Sequence, residues 1–144
     1  MCKKMEVKLR FGTDHVDWEE AVSVVERAPL GKRSPEMFRK ACENSYLLCT
    51  AYSEGQLVGL GRAISDTVWQ SAIYDLVVLP EYQGQGIGTR IMQSLLERLP
   101  SGPVLMYVVP GKEGFYKKLG FELLRTGMGR FPNPKKQRAD GYIA

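Results

Sequence analysis

A chain of 144 residues with 44% hydrophobic content is long enough to bury one substantial core and short for two, so a single domain over 1–144 is expected. The net charge of +4 is modest; it suits an anionic small molecule and makes no case for nucleic acid. No apolar run approaches the roughly twenty residues that cross a bilayer, and the opening MCKKMEVKLRFG lacks a signal peptide's apolar centre, so a cytoplasmic protein without a membrane partner is expected.

Residues 6–11 alternate Val7, Leu9 and Phe11 with charged neighbours, the period-two pattern of a first, half-buried strand. Asp17, three residues before Glu20, makes a capping box for a first helix reaching about residue 28, with Trp18, Ala21, Val22 and Val25 on its inward stripe. Ser34 and Pro35 read as the N-cap and first residue of a second helix, with Met37, Phe38 and Ala41 facing inward. Residues 46–52 and 57–64 form strands joined through Ser53-Glu54-Gly55-Gln56, a hairpin turn. Another strand covers 69–79. A helix with Ile87, Ile91, Leu95 and Leu99 at four-residue steps follows, stopped by Pro100-Ser101-Gly102-Pro103. The pattern then predicts an apolar strand over 104–109, a short helix over 112–119 and a last strand over 121–130. Lys135-Lys136-Gln137-Arg138 reads as a solvated basic loop without the aromatic interleaving that stacks bases.

Residues 74–89, YDLVVLPEYQGQGIGT, carry the most chemistry. An apolar strand runs through a proline turn into a glycine-rich loop that opens a helix. Gly84, Gly86 and Gly88 let backbone amides approach an anion, and the helix adds its free N–H groups and positive dipole end. A nucleoside-triphosphate loop needs Lys and Ser/Thr after its last glycine, whereas this chain has Thr89-Arg90 after Gly88. A dinucleotide fingerprint needs G-x-G-x-x-G and an acidic residue about twenty positions on, where this chain reads Pro103-Val104-Leu105-Met106. Neither motif fits.

The stretch resembles the signature of the GNAT superfamily of acetyl-CoA-dependent N-acetyltransferases, Gln/Arg-x-x-Gly-x-Gly/Ala, with Gln83, Gly86 and Gly88 in the matching positions. A second match follows, where residues 114–121, GFYKKLGF, are similar to the family's FYxxLGF segment. The resemblance implies an α/β (α+β) fold: a mixed, splayed sheet of about six or seven strands with about four flanking helices. Its two central parallel strands, here 73–79 and 104–109, part at one end to admit the cofactor's pantetheine arm. The implied cofactor is acetyl-CoA, with CoA as product. Backbone groups of Leu76, Val77 and Val78 would bind the pantetheine, and those of Gln83, Gly84, Gln85, Gly86, Ile87, Gly88 and Thr89 the pyrophosphate. Arg90 is placed to add charge. Many members carry an asparagine ahead of the tyrosine helix; this chain reads Tyr107-Val108-Val109-Pro110-Gly111 there, so that contact is not expected.

By the same resemblance Tyr116 is the donor that protonates the departing thiolate, a phenol and a thiol being close enough in pKa for a positioned donor to help. Asp75, the one carboxylate in an otherwise apolar strand, is a candidate general base if burial raises its pKa; pairing with an arginine such as Arg62 is the alternative. Glu113 is a second base candidate. His15 reads as a solvated loop residue, and Trp69, Tyr46 and Phe131 as acceptor-cleft or core aromatics. Cys2, Cys42 and Cys49 suit reduced thiols, Cys2 exposed, and no cluster has metal-ligand spacing. The implied reaction is direct attack of a primary amine on the thioester in a ternary complex. A non-catalytic acetyl-CoA sensor and a ribosome- or RNA-directed transferase are the alternatives. The acceptor, a small molecule or a protein amine, is built from segments without a fixed motif, and fold-level analogy leaves a homodimer open.

Overall fold

The structure is a computed structural model that describes residues 6–144; Cys2 lies outside the described residues. Two compact units divide the chain after Met106. The first holds a five-stranded sheet in the order β1 (Val7–Phe11), β2 (Leu47–Ser53), β3 (Gln56–Ser65), β4 (Ser71–Val78) and β5 (Val104–Leu105). The first four strands pair antiparallel, and β5 runs parallel to β4, so the sheet is mixed as expected, with five strands rather than six or seven. Helices α1 (Trp18–Arg27), α2 (Pro35–Glu43) and α3 (Ile87–Arg98) accompany it.

Local chemistry explains these bounds. Asp17 Oδ1 accepts from the amides of Glu19 and Glu20 to cap α1. The reciprocal half of the box is absent, because Glu20 Oε2 instead accepts from Leu57 N in β3. The buried face of α1 is Ala21, Val24 and Val25; Val22 lies one step off it and is only half-buried. Ser34 Oγ caps α2, whose buried residues are Phe38 and Cys42, while Met37 points outward at 74% exposure. The β2–β3 hairpin turns through Glu54 (φ 50) and Gly55 (φ 78), the paired left-handed residues that a two-residue turn requires.

Glycines 59 and 61 of β3 set the height of α3. A Cβ on Gly61 would lie 3.0 Å from Ile91 and 3.3 Å from Leu95, so only glycine admits the helix this close. Ile91, Met92 and Leu95 of α3 are fully buried. This seating brings the N-terminus of α3 to the end of β4. By strand alternation Leu60 and Arg62 point to the opposite face, where Arg62 donates to Ser45 Oγ just beyond α2. Among the described residues no helix is long and apolar enough to cross a membrane.

In the second unit, α4 (Glu113–Lys117) and α5 (Pro134–Ala139) are the regular elements. Two expectations are corrected here. The strand expected over 104–109 is regular only at Val104–Leu105, and 121–130 contains no strand. Conversely, the basic run at 135–138 lies on a helix rather than a loop, with Asn133 Oδ1 accepting from Lys136 N as its N-cap and Pro134 at its start. Tyr107 packs edge-on to Phe131 and Tyr142, at 5.9 Å from each ring.

Candidate active site

The site is built around the outer edge of β4. Pairing with β5 is limited to Ser71↔Val104 and Ala72↔Leu105, so from Ile73 onward this edge has no strand partner among the described residues. On its inner side Leu79 N donates to Val58 O at 2.8 Å. The N–H and C=O of one peptide unit point in opposite directions, so the Val78 carbonyl faces outward. Gln83 Nε2 finds it there, at 2.9 Å. The same alternation turns the Val78 N–H outward and the Val77 groups inward toward Leu60. Of the three residues expected to hold a pantetheine, Leu76 and Val78 therefore present peptide groups on the open edge, and Val77 serves the sheet.

From Val78 the chain passes through a 3₁₀ turn, Pro80–Tyr82, which Glu81 ties to Arg27 at the end of α1 by an ion pair. Gly84 (φ 78) and Gly86 (φ 82) both adopt the left-handed conformation, which is why they are glycines. A Cβ on either would meet nothing within 4 Å; the space in front of the turn is open. Gly86 is the N-cap of α3 and offers no side chain, so the amides of Ile87, Gly88 and Thr89 have no capping acceptor; the first helical bond is Arg90 N to Gly86 O. A turn of free amides at a helix N-terminus has the donor set for a phosphate. Gln83, Gly84, Gln85 and Gly86 are exposed, and Ile87 anchors the turn in the core. Arg90 is committed elsewhere, donating to Val7 O at 2.9 Å.

Asp75 stands four residues before the end of β4's run toward Leu79, in a left-handed conformation (φ 57). Its side chain is 7% exposed, with Arg62 Nε 2.6 Å from Oδ2 and Arg33 Nη2 2.7 Å from Oδ1. Burial opposes its charge, but the two guanidiniums outweigh it, and the carboxyl is held below its ordinary value. The expectation of a raised pKa is corrected: the alternative with Arg62 is what the structure shows, with Arg33 added. Arg33 was not legible in sequence, because a charged loop residue gives no sign of a long-range partner.

Tyr116 lies on α4, half-buried between Phe115 and Phe121, whose ring centroids are 4.9 and 6.0 Å away. Burial pushes its phenol above the ordinary value, so it stays protonated and the expected near-balance with a thiol widens. Glu113 Oε2 accepts from Gly111 N at 3.0 Å and closes the start of α4. His15 is not simply solvated: its Nε2 is 2.9 Å from Thr50 Oγ1, its ring packs edge-on to Tyr52, and burial lowers its pKa. Trp69 is 70% exposed, on a turn where Asp66 Oδ1 accepts from the amides of Val68, Trp69 and Gln70. Among the described residues, no group of three His, Cys, Asp or Glu side chains comes together as a metal site.

Fold and turn define the class: a mixed α+β sheet whose fourth strand, β4, runs into a strand–turn–helix unit with the donor set for an anion. Within that class, the sequence profile of the acetyltransferase (GNAT) domain matches residues 17–127, and the chain belongs to the GNAT acetyltransferase family. An acetyltransferase of the GNAT family from Streptococcus pneumoniae TIGR4 superposes with a TM-score of 0.76 at 28% identity, covering 88% of this chain and 98% of that one. GCN5-related N-acetyltransferase 2, chloroplastic, of Arabidopsis thaliana is 32% identical over 119 residues, 66% of this chain and 46% of that protein. An uncharacterized N-acetyltransferase of Gracilaria tenuistipitata var. liui is 31% identical over 97 residues, 62% of this chain and 53% of that protein. The chain thus spans about half the length of these two relatives.

Proposed function

We propose that this protein transfers the acetyl group of acetyl-CoA to a primary amine by direct attack in a ternary complex. The observation that carries the reading is the outer edge of β4. Peptide groups of Leu76 and Val78 without a strand partner lead, through Gln83 on the Val78 carbonyl, into the left-handed Gly84 and Gly86 and the free amides of Ile87, Gly88 and Thr89. Such an edge suits the two halves of one ligand, amides along the strand and phosphates at the turn. Acetyl-CoA supplies the activated thioester; everything else is the chain's own work. The outward Val78 N–H is the group placed to stabilise charge on a carbonyl oxygen lying along the edge. Tyr116, kept protonated by burial, is the proposed proton donor to the departing thiolate.

Buried thiols favour direct attack over a covalent intermediate. Burial pushes the Cys42 thiol up to about 11 and the Cys49 thiol up to about 12, far from nucleophilic at neutral pH. With Asp75 held ionised between two arginines, water rather than Asp75 is the proposed acceptor of the amine's proton. The family match crosses from the first unit into the second, and we read 1–144 as one acetyltransferase domain. No membrane partner and no nucleic acid is required by this reading.

The test is calorimetric titration of acetyl-CoA and CoA into the wild type and Gly86→Glu, with thiol release followed over a panel of small amines and peptide amines. Gly86→Glu forces a Cβ into a left-handed position and sets a carboxylate before the amides. Micromolar binding lost in the variant, with thiol release on an amine, is the expected result. Binding without release on any amine favours a sensor, and no binding by the wild type overturns the reading.

A further inference from the structure

The ion-paired cluster around Asp75 adjoins the β4 edge yet belongs neither to the glycine turn nor to Tyr116. In the pairing of β3 with β4, Arg62 faces Tyr74 and Leu60 faces Val77, so Gly61 alone opposes both Asp75 and Leu76. This is a β-bulge, and Asp75 is its left-handed residue (φ 57). A residue with a Cβ keeps that conformation only where its surroundings impose it. The imposing groups are visible. Arg62 comes from β3 and Arg33 from the connection between α1 and α2; they occupy one carboxylate oxygen each, at 2.6 and 2.7 Å. Each arginine is held in turn: Arg62 by Ser45 Oγ at 3.1 Å and by the Tyr74 ring at 5.3 Å, Arg33 by the Phe38 ring at 5.4 Å.

The bulge decides which way the following peptides face. A one-residue insertion shifts the alternation of a strand by one, so without it the outward and inward groups of residues 76–78 would exchange places. The Val78 carbonyl would then turn from Gln83 into the sheet, and its N–H would leave the open edge. A carboxylate with both oxygens taken by arginines is also poorly suited to accept a proton from a substrate.

We propose that Arg33, Asp75 and Arg62 are positioning residues, a tether that fixes the β4 bulge and so aims the peptide groups of Leu76 and Val78 at the acetyl-CoA arm, without taking part in proton transfer. The inference rests on the acetyltransferase reading above. It also gives the α1–α2 connection a direct hold on the cofactor edge through Arg33.

The experiment uses the full chain as wild type, Asp75→Asn, Arg33→Ala and Arg33→Lys, with folding checked by circular dichroism. Asparagine keeps tolerance of the left-handed region but loses both ion pairs. Acetyl-CoA dissociation constants are measured by calorimetry, and the Leu76 and Val78 amides are followed by NMR. Asp75→Asn and Arg33→Ala are expected to weaken acetyl-CoA binding roughly tenfold or more and to shift both amides, in keeping with the steep cost of small misplacements. Arg33→Lys should recover most of the binding, since it restores a charge on Oδ1. Should Asp75→Asn not fold, the Arg33 pair carries the same readout. Wild-type affinity and unshifted amides in Arg33→Ala would overturn the tether. Unchanged affinity in Asp75→Asn, together with loss of the rising limb of kcat against pH, would make Asp75 a base and overturn it too. Failure of the wild type to bind acetyl-CoA would sink the acetyltransferase reading itself and this inference with it.

Discussion

Gln83 Nε2 donates to the Val78 carbonyl oxygen at 2.9 Å, closing the chain between the end of β4 and the first left-handed glycine. The bond takes an acceptor that the sheet leaves outward and converts it into a fastener for the turn. Both partners are solvent-accessible, so its net worth is at most about 1 kcal/mol, roughly a fivefold effect. Gln83→Ala should therefore weaken acetyl-CoA binding by up to about fivefold while lowering the thermal midpoint by no more than about 5 °C. Calorimetry beside a thermal melt separates the two, and a large fall in the midpoint with unchanged affinity would count the contact as structural only.

Tyr116→Phe isolates a single oxygen. Burial raises the phenol's pKa above its ordinary value near 10, so the proton-donating form persists through neutral pH and disappears only at high pH. Activity that depends on this donor must fall as pH rises through the raised value. General-acid contributions run from about 10²- to 10⁴-fold, and the widened gap to a thiol near 8.5 places this one toward the lower end. We expect kcat about 10²-fold down in the variant, with KM little changed and the falling limb at high pH absent. A retained limb would assign it to another group.

The first four strands, the first three helices and their caps were legible because their signals are local. Asp17, Ser34-Pro35 and Gly55 each do what their side chain or backbone preference dictates within a few residues. Residues 106–109 and 121–130 misled for a related reason. Apolar strand-forming residues report a preference for a pleated surface and not the presence of a partner, and here no ladder forms. The helix at Pro134–Ala139 announced itself through Asn133 and Pro134, a signal outweighed by the basic run that follows. In the site, the strand–turn–helix course and the left-handed Gly84 and Gly86 were legible, while Gly88 lies within α3 without a positive φ. Arg33 was not legible, since its role exists only through a carboxylate forty-two positions away in the chain, a distance no periodicity reports.

Asp75 also governs how stability responds to acid. Burial works against its charge, but Arg33 and Arg62 more than compensate, so its folded-state pKa lies below the unfolded value of about 3.9. A depressed carboxylate contributes stability that is present above the unfolded pKa and is lost as pH falls through the folded one. Breaking a buried pair by removing one partner typically costs about 3 kcal/mol or more. Urea midpoints should thus show Asp75→Asn well below the wild type at pH 7, with the gap shrinking progressively below about pH 4. A gap of constant size across that range would show that the cost comes from something other than the ion pairs.

Gly59 and Gly61 couple the stability of the sheet to the placement of the phosphate-type turn, because both sit directly beneath α3. A Cβ on Gly61 would lie 3.0 Å from Ile91 Cγ2, 3.2 Å from Leu76 Cδ1 and 3.3 Å from Leu95 Cδ1, all of them side-chain atoms that can yield by small shifts. A Cβ on Gly59 would lie 2.9 Å from the Val77 carbonyl oxygen, which is backbone and cannot yield without moving β4. Overpacking a filled core costs about 1–3 kcal/mol. Gly61→Ala should fall near the lower end of that range and lift α3 slightly, while Gly59→Ala should fall near the upper end and displace the very strand whose edge we propose as the acetyl-CoA site. Denaturant melts give the ordering of the two, and calorimetry gives its consequence: acetyl-CoA affinity should drop more in Gly59→Ala than in Gly61→Ala. Equal stability loss with equal affinity would mean that the helix, rather than the strand, absorbs both methyl groups, and that the turn follows α3 alone.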